Sequence, residues 1–193
     1  DIAGRSCLKA GMNVIGIPKT IDNDVALTHR CVGFSSALEN CTKAIEQLET
    51  TAASHGRIMI LEVMGKDAGH LALQSGIAGL ADAILIPEIP YSIEGLSKKL
   101  HSVFAGNRSH AIVVVAEGIK STTGENSTFT NQLGIKNYNG ISHVIMEQIN
   151  KIFPDVQSRA TVFGHLARGG APNAEDKLLA MQFGAYATNL IEQ

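Results

Sequence analysis

A chain of 193 residues, 45% hydrophobic and 18% charged, can bury a sizeable core as one domain or two small ones, and its composition is that of a soluble α/β protein. A net charge of -2 gives no reason to expect nucleic acid or a membrane surface as partner. No apolar run approaches the ~18 residues of a spanning helix and no charged-then-apolar leader opens the chain; with three dispersed cysteines, Cys7, Cys31 and Cys41, this suits free thiols in a reducing, cytoplasmic setting.

The first predicted strand is 12–18 (MNVIGIP). It empties into Lys19, Thr20, Ile21, Asp22, Asn23 and Asp24, an abrupt change from apolar to charged. Ala37, Leu38, Cys41, Ala44, Ile45, Leu48 and Ala52 then recur at three- and four-residue steps and predict one face of a long helix. The second strand, 57–64 (RIMILEVM), runs out through Gly65, Lys66, Asp67, Ala68 and Gly69. A helix is expected over 69–80, followed by a third strand, 82–87, that ends in Pro87 and Glu88. Ser92 reads as the N-cap of a helix carrying Ile93, Leu96, Leu100 and Val103. The fourth strand, 110–116 (HAIVVVA), ends in Glu117 and Gly118. Segment 119–139 is polar and unpatterned and reads as a long surface loop. A helix over 140–152, a fifth strand over 159–165 (RATVFGH) and a helix over 174–191 complete the chain. His165 and Arg168 lead into Gly169 and Gly170.

Ile- and Val-rich strands without strict alternation, separated by helical patterns, predict a doubly wound, mostly parallel sheet. In such sheets ligands sit beyond the carboxyl ends of the strands. Four of the five predicted ends carry polar clusters. Each alone also fits an ordinary turn or helix cap, but four at one edge argue for a shared site. Asp22 could take a proton from a hydroxyl, and Lys66 could balance charge on a phosphoryl group. Glu117 suits a hydroxylated ligand such as a sugar, and His165 and Arg168 suit an anion at a glycine turn. Arg57 and Arg159 open their strands, so Arg57 lies roughly 25 Å from Lys66 and Arg159 roughly 20 Å from His165 along the chain. An arginine reaches only about 7 Å. Both are therefore either surface residues or contributions to a neighbouring subunit's site.

The motifs PKTIDND at 18–24, EVMGKDAGHLAL at 62–73, AEG at 116–118 and RATVFGHLARGGAPNAEDKLLA at 159–180 together resemble the 6-phosphofructokinases. That resemblance covers essentially the whole chain. It implies two Rossmann-like domains, with 34–167 as the sugar-phosphate domain and 1–33 and 168–193 as pieces of the phosphoryl-donor domain, the chain being a fragment inactive by itself. It implies phosphoryl transfer from ATP to the 1-hydroxyl of fructose 6-phosphate. Asp22 is then the general base, with Thr20 beside it and Asp24 near metal and phosphate. Ile21, Met64, Gly65, Glu117, His165 and Arg168 contact the sugar phosphate, and Lys66 faces the transferring group. Arg57 and Arg159 serve an adjacent subunit of a homo-oligomer, dimer or tetramer.

Mg²⁺ is implied too, with its principal ligand upstream of this chain. Many family members have Arg where this chain has Lys66, and many ATP-using bacterial members have Gly where it has Lys19. The cation at Lys19 keeps pyrophosphate open as an alternative donor. A non-catalytic sugar-phosphate-binding subunit is the alternative in a different functional class.

Overall fold

The structure is a computed structural model that describes residues 2–121, 128–130, 136–138 and 140–191. Strands β1 (Ile58–Val63), β2 (Ala83–Leu85), β3 (Ala111–Ala116) and β6 (Ser158–Val162) form a parallel sheet in the order β2-β3-β1-β6. Every residue of β1 and β3 is buried, as expected of central strands covered on both faces. Helices α1 (Ile2–Lys9), α2 (Phe34–His55), α3 (His70–Ala78), α4 (Ile93–Ala105), α5 (Ile141–Ile152) and α6 (Ala174–Ile191) complete the regular structure, with a short antiparallel ribbon of β4 (Thr128–Thr130) and β5 (Lys136–Tyr138).

The connections decide where a ligand can sit. From β1 the chain crosses β3 through α3 to reach β2. It then turns back through α4 to β3, and crosses β1 through α5 to reach β6. Right-handed crossovers running in opposite directions put their helices on opposite faces. Accordingly α3 packs with α2, and α4 packs with α5. The connections leaving β1 and β3 therefore part to opposite faces, which opens a crevice between the carboxyl ends of these two neighbouring strands.

The apolar stripe expected for α2 is buried at Phe34, Ala37, Cys41, Ile45 and Ala52, against a core that includes Ile58, Ile60, Leu71 and Val113. Gly33 starts α2 at φ 101° and supplies no side-chain cap. Asp176 of α6 does so instead: its carboxylate accepts from Gly33 N (2.8 Å), Ser36 N (2.8 Å) and Ser36 Oγ (2.5 Å). Ser92 caps α4 as expected, accepting from Gly95 N at 3.0 Å. The three cysteines form no disulfide, and no helix among the described residues is long and apolar enough to cross a membrane.

Several expected boundaries are corrected. Segment 12–18 is not a strand; just beyond it Lys19 and Val32 form an isolated parallel bridge, Pro18 O accepts from Val32 N at 3.0 Å, and Val14 and Ile17 are exposed. An apolar run becomes a strand only when a second backbone accepts its ladder, and among the described residues none lies beside 12–17. The fifth strand stops at Val162, and its expected last residues enter a 3₁₀ turn, Gly164–Arg168. Helix α1 was not expected, because no apolar stripe announces it. The loop 119–139 contains the β4–β5 ribbon, while 122–127, 131–135 and 139 lie outside the described residues. The four-stranded sheet is the parallel sheet found among the described residues.

Candidate active site

The loop after segment 12–18 is shaped by its own side chains. Thr20 Oγ1 accepts from Asp22 N at 3.1 Å, a local hydroxyl turn. Asn23 takes the left-handed backbone (φ 53°), which asparagine tolerates better than most residues. Its side chain accepts from Cys31 N at 2.8 Å and donates to His29 O at 3.2 Å, closing the loop 23–31 on itself. Asp22 is thereby turned inward and is only 2% exposed. Its Oδ2 lies 3.7 Å from Lys66 Nζ. Among the described residues its buried Oδ1 has no partner, and a buried carboxylate oxygen left unmatched is costly unless something else supplies the donor.

Lys66 comes from the turn that follows β1. Gly65 has φ 146° and Lys66 φ 50°, both in the left-handed region, and Lys66 is one of the few non-glycine residues held there. Glu117, at the end of β3, accepts at Oε1 from Lys66 N (2.8 Å) and Gly65 N (3.2 Å). Burial pushes the Glu117 carboxyl above its ordinary range; those two backbone N–H groups oppose the shift, and the negative charges of Asp22 and Glu62 add to it. Glu88, after β2, accepts from Gly69 N at 2.8 Å and holds the far end of the same turn. The crevice between β1 and β3 is thus where Asp22, Lys66, Gly65 and Glu117 come together.

A raised carboxyl has a consequence for stability. The native state favours the protonated Glu117, so the group stabilises the fold fully below its ordinary value of 4.5. That contribution is lost as pH rises through its folded value. Glu117→Gln should therefore gain on the parent chain in urea midpoint near pH 7, and the gain should shrink as pH falls from the folded value toward 4.5 and be gone below it. An identical difference at both ends of a pH series would contradict the sign.

Other expected site residues fall elsewhere. Lys19, Ile21 and Arg168 line a second cavity of about 310 Å³, with Gly33, Gly169 and Gly170 on its wall. Ile21 is buried in the core cluster, so the residue before Asp22 anchors the loop. His165 and Arg168 sit exposed on the 3₁₀ turn. Met64 is half-buried against the core, and Asp24 is exposed. Arg57 and Arg159 lie at the opposite edge of the sheet. Arg159 stands in register with Met59 near the start of β1. Arg57 Nε donates to Gln157 Oε1 at 3.1 Å, and Arg159 Nη1 to Ser158 O at 3.1 Å. With five to seven residues of strand between, about 3.3 Å each, neither reaches Asp22 of its own chain.

Two supporting carboxylates escaped the sequence reading, Glu62 and Glu88. Glu62 is 2% exposed and accepts from Ser142 Oγ (2.6 Å), Ser142 N (3.0 Å) and Gly140 N (3.3 Å), fastening the start of α5 beside the crevice. A single charge inside an otherwise apolar strand was the signal available.

Fold and site define a doubly wound α/β protein with a buried carboxylate and a lysine paired at its switch point. The family model described as phosphofructokinase matches residues 3–191, and the chain belongs to that family. It is 44% identical over 191 residues to "ATP-dependent 6-phosphofructokinase 1" of Nostoc sp., covering 99% of this chain and 53% of that protein. It is 48% identical over 181 residues to "ATP-dependent 6-phosphofructokinase" of Chloroflexus aggregans, covering 93% of this chain and 49% of that one. Among solved structures, phosphofructokinase from Saccharomyces cerevisiae matches with a TM-score of 0.79 at 28% identity, over 94% of this chain and 23% of that chain. The chain spans about half the length of the curated relatives it matches.

Proposed function

We propose that this chain carries the sugar-phosphate site and the general base of a 6-phosphofructokinase, which transfers a phosphoryl group from ATP to the 1-hydroxyl of fructose 6-phosphate and yields fructose 1,6-bisphosphate. The observation that carries this reading is Asp22: a buried carboxylate with one oxygen unmatched among the described residues and the other 3.7 Å from Lys66. The unmatched oxygen accepts the proton of the 1-hydroxyl as the hydroxyl oxygen bonds to the terminal phosphorus of ATP and the bond from that phosphorus to the leaving ADP breaks. Lys66 offsets the negative charge gathered there. Glu117, beside this pair, holds a sugar hydroxyl. His165 and Arg168 take the 6-phosphate, and Met64 and Gly65 close over the sugar. Thr20 and Ile21 set the loop, while Asp24 and Lys19 face the donor side.

Residues 34–167 form the sugar-phosphate domain in this reading, and 1–33 and 168–193 belong to the donor domain. The parallel sheet and helices α2 to α5 all lie within the first range. Mg²⁺ is the metal the family suggests. Among the described residues no group of three or more His, Cys, Asp or Glu side chains could hold a metal ion, and no step above runs through one.

The direct test is a coupled assay of the intact protein carrying this chain, with fructose 6-phosphate and either ATP or pyrophosphate. Turnover with ATP is expected. Binding of the sugar phosphate without turnover on either donor would make it a binding subunit instead.

Arg57 and Arg159 serve the site of a neighbouring subunit in this reading, because their own sheet holds them at the wrong edge. Mixing an Arg159→Ala variant with an Asp22→Asn variant should restore up to about a quarter of parental activity in hybrid oligomers, the share expected if one intact site per mixed dimer forms at random. Proven subunit exchange with no return of activity would exclude the shared site.

A further inference from the structure

We propose that Glu117 is a positioning residue that pins the Gly65–Lys66 turn and so aims Lys66 at Asp22. The inference deepens the function proposed above and rests on it for the meaning of Lys66, though the pin itself is a separate structural matter.

Three observations converge. First, both bonds from the turn, Lys66 N at 2.8 Å and Gly65 N at 3.2 Å, fall on the single oxygen Oε1. The bond partners lie 51 and 52 positions away from Glu117, so this is a tertiary tie and no local turn bond. Second, the turn needs holding. A lysine at φ 50° is in a region that side chains other than glycine and asparagine seldom occupy, and such a conformation persists only where its surroundings determine it. Third, the residue after Glu117 fits the turn as closely. A Cβ built on Gly118 would stand 1.8 Å from the Lys66 carbonyl oxygen. The Lys66 backbone is therefore seated on Gly118 from one side and tied to Glu117 from the other. Its side chain is 62% exposed, so side-chain packing cannot be what directs it. Direction comes from the backbone.

The chemistry of the pin makes it separable from charge. An amide oxygen also accepts two N–H bonds, so Glu117→Gln keeps the pin while removing the carboxylate, and Glu117→Ala removes both. Lys66→Ala removes what the pin positions.

Two measurements test this. Hydrogen exchange at the Gly65 and Lys66 amides needs no activity. In Glu117→Ala these two amides should exchange at least tenfold faster, with β1 amides unchanged, and Glu117→Gln should keep most of the protection. Unchanged exchange in Glu117→Ala overturns the pin, as does equal loss in both variants.

Kinetics of the intact protein then read the consequence. Glu117→Ala should lower kcat by roughly tenfold or more, and Glu117→Gln should recover most of that kcat while KM for the sugar phosphate rises. Glu117→Ala should add little to the loss in Lys66→Ala, because a positioning residue has nothing left to position. Losses that multiply, or a Glu117→Ala change confined to KM, would overturn the positioning role. If Lys66→Ala and Asp22→Asn both turned over normally, the function proposed above would fail, while the exchange result would still report on the pin.

Discussion

Asp22→Asn is expected to lower kcat by about 10²- to 10⁴-fold, the range a positioned general base contributes, and to leave KM for fructose 6-phosphate within a few-fold of the parent. Asparagine has nearly the size of aspartate and keeps an acceptor oxygen, so the packing around the side chain, the Thr20 bond to the Asp22 backbone and the Asn23 loop closure should survive. What it loses is basicity and the negative charge 3.7 Å from Lys66. Circular dichroism and the urea midpoint guard against a folding explanation. A variant that folds, binds the sugar phosphate and retains near-parental kcat would end the base assignment, whatever the family relationship.

The largest expected effect on stability belongs to Asp176. Its carboxylate is 2% exposed and accepts three hydrogen bonds, from Gly33 N, Ser36 N and Ser36 Oγ. Asp176→Ala strands two backbone donors at the start of α2, in a helix whose own N-cap is a glycine without a side chain to substitute. A buried donor without a partner costs about 1–3 kcal/mol, and a lost cap about 1 kcal/mol. The lost cap is these same two donors, so a total of roughly 2–6 kcal/mol should lower Tm by about 4–24 °C for a chain of this size. Asp176→Asn retains one acceptor oxygen and should recover part of the loss. If Asp176→Ala melted within a degree of the parent, water would have to reach the α2 terminus, and the cap would carry no weight.

How far the sequence disclosed this protein depends on how far apart the interacting residues lie. Strands β1 and β3 were legible because RIMILEVM, apolar but for Arg57 and Glu62, and AIVVVA are runs between turn residues, and burial on both faces demands that pattern. Lys66 follows such a run directly and stands at a strand end, where a parallel sheet gathers its polar residues; Asp22 was expected on the same ground, but no strand precedes it. The same logic misread 12–18, because periodicity describes one strand and is silent about whether a partner lies beside it.

Equally invisible were Glu62, Glu88 and Asp176, whose bonds span 78 to 80, 19, and 140 to 143 positions. Composition assigns a carboxylate to the surface by default, and only the folded chain reveals which ones close a helix end. Lys66 at φ 50° was hidden for a related reason: no residue preference predicts a left-handed lysine, because Glu117 and Gly118 impose it from another strand.

The distance between Asp176 and the helix it completes also constrains the order in which the protein can be made. A nascent chain leaving the ribosome exposes the start of α2 about 140 residues before the carboxylate that closes it. Synthesis at ≈ 5–20 residues per second leaves that end without its cap for roughly 7–28 seconds.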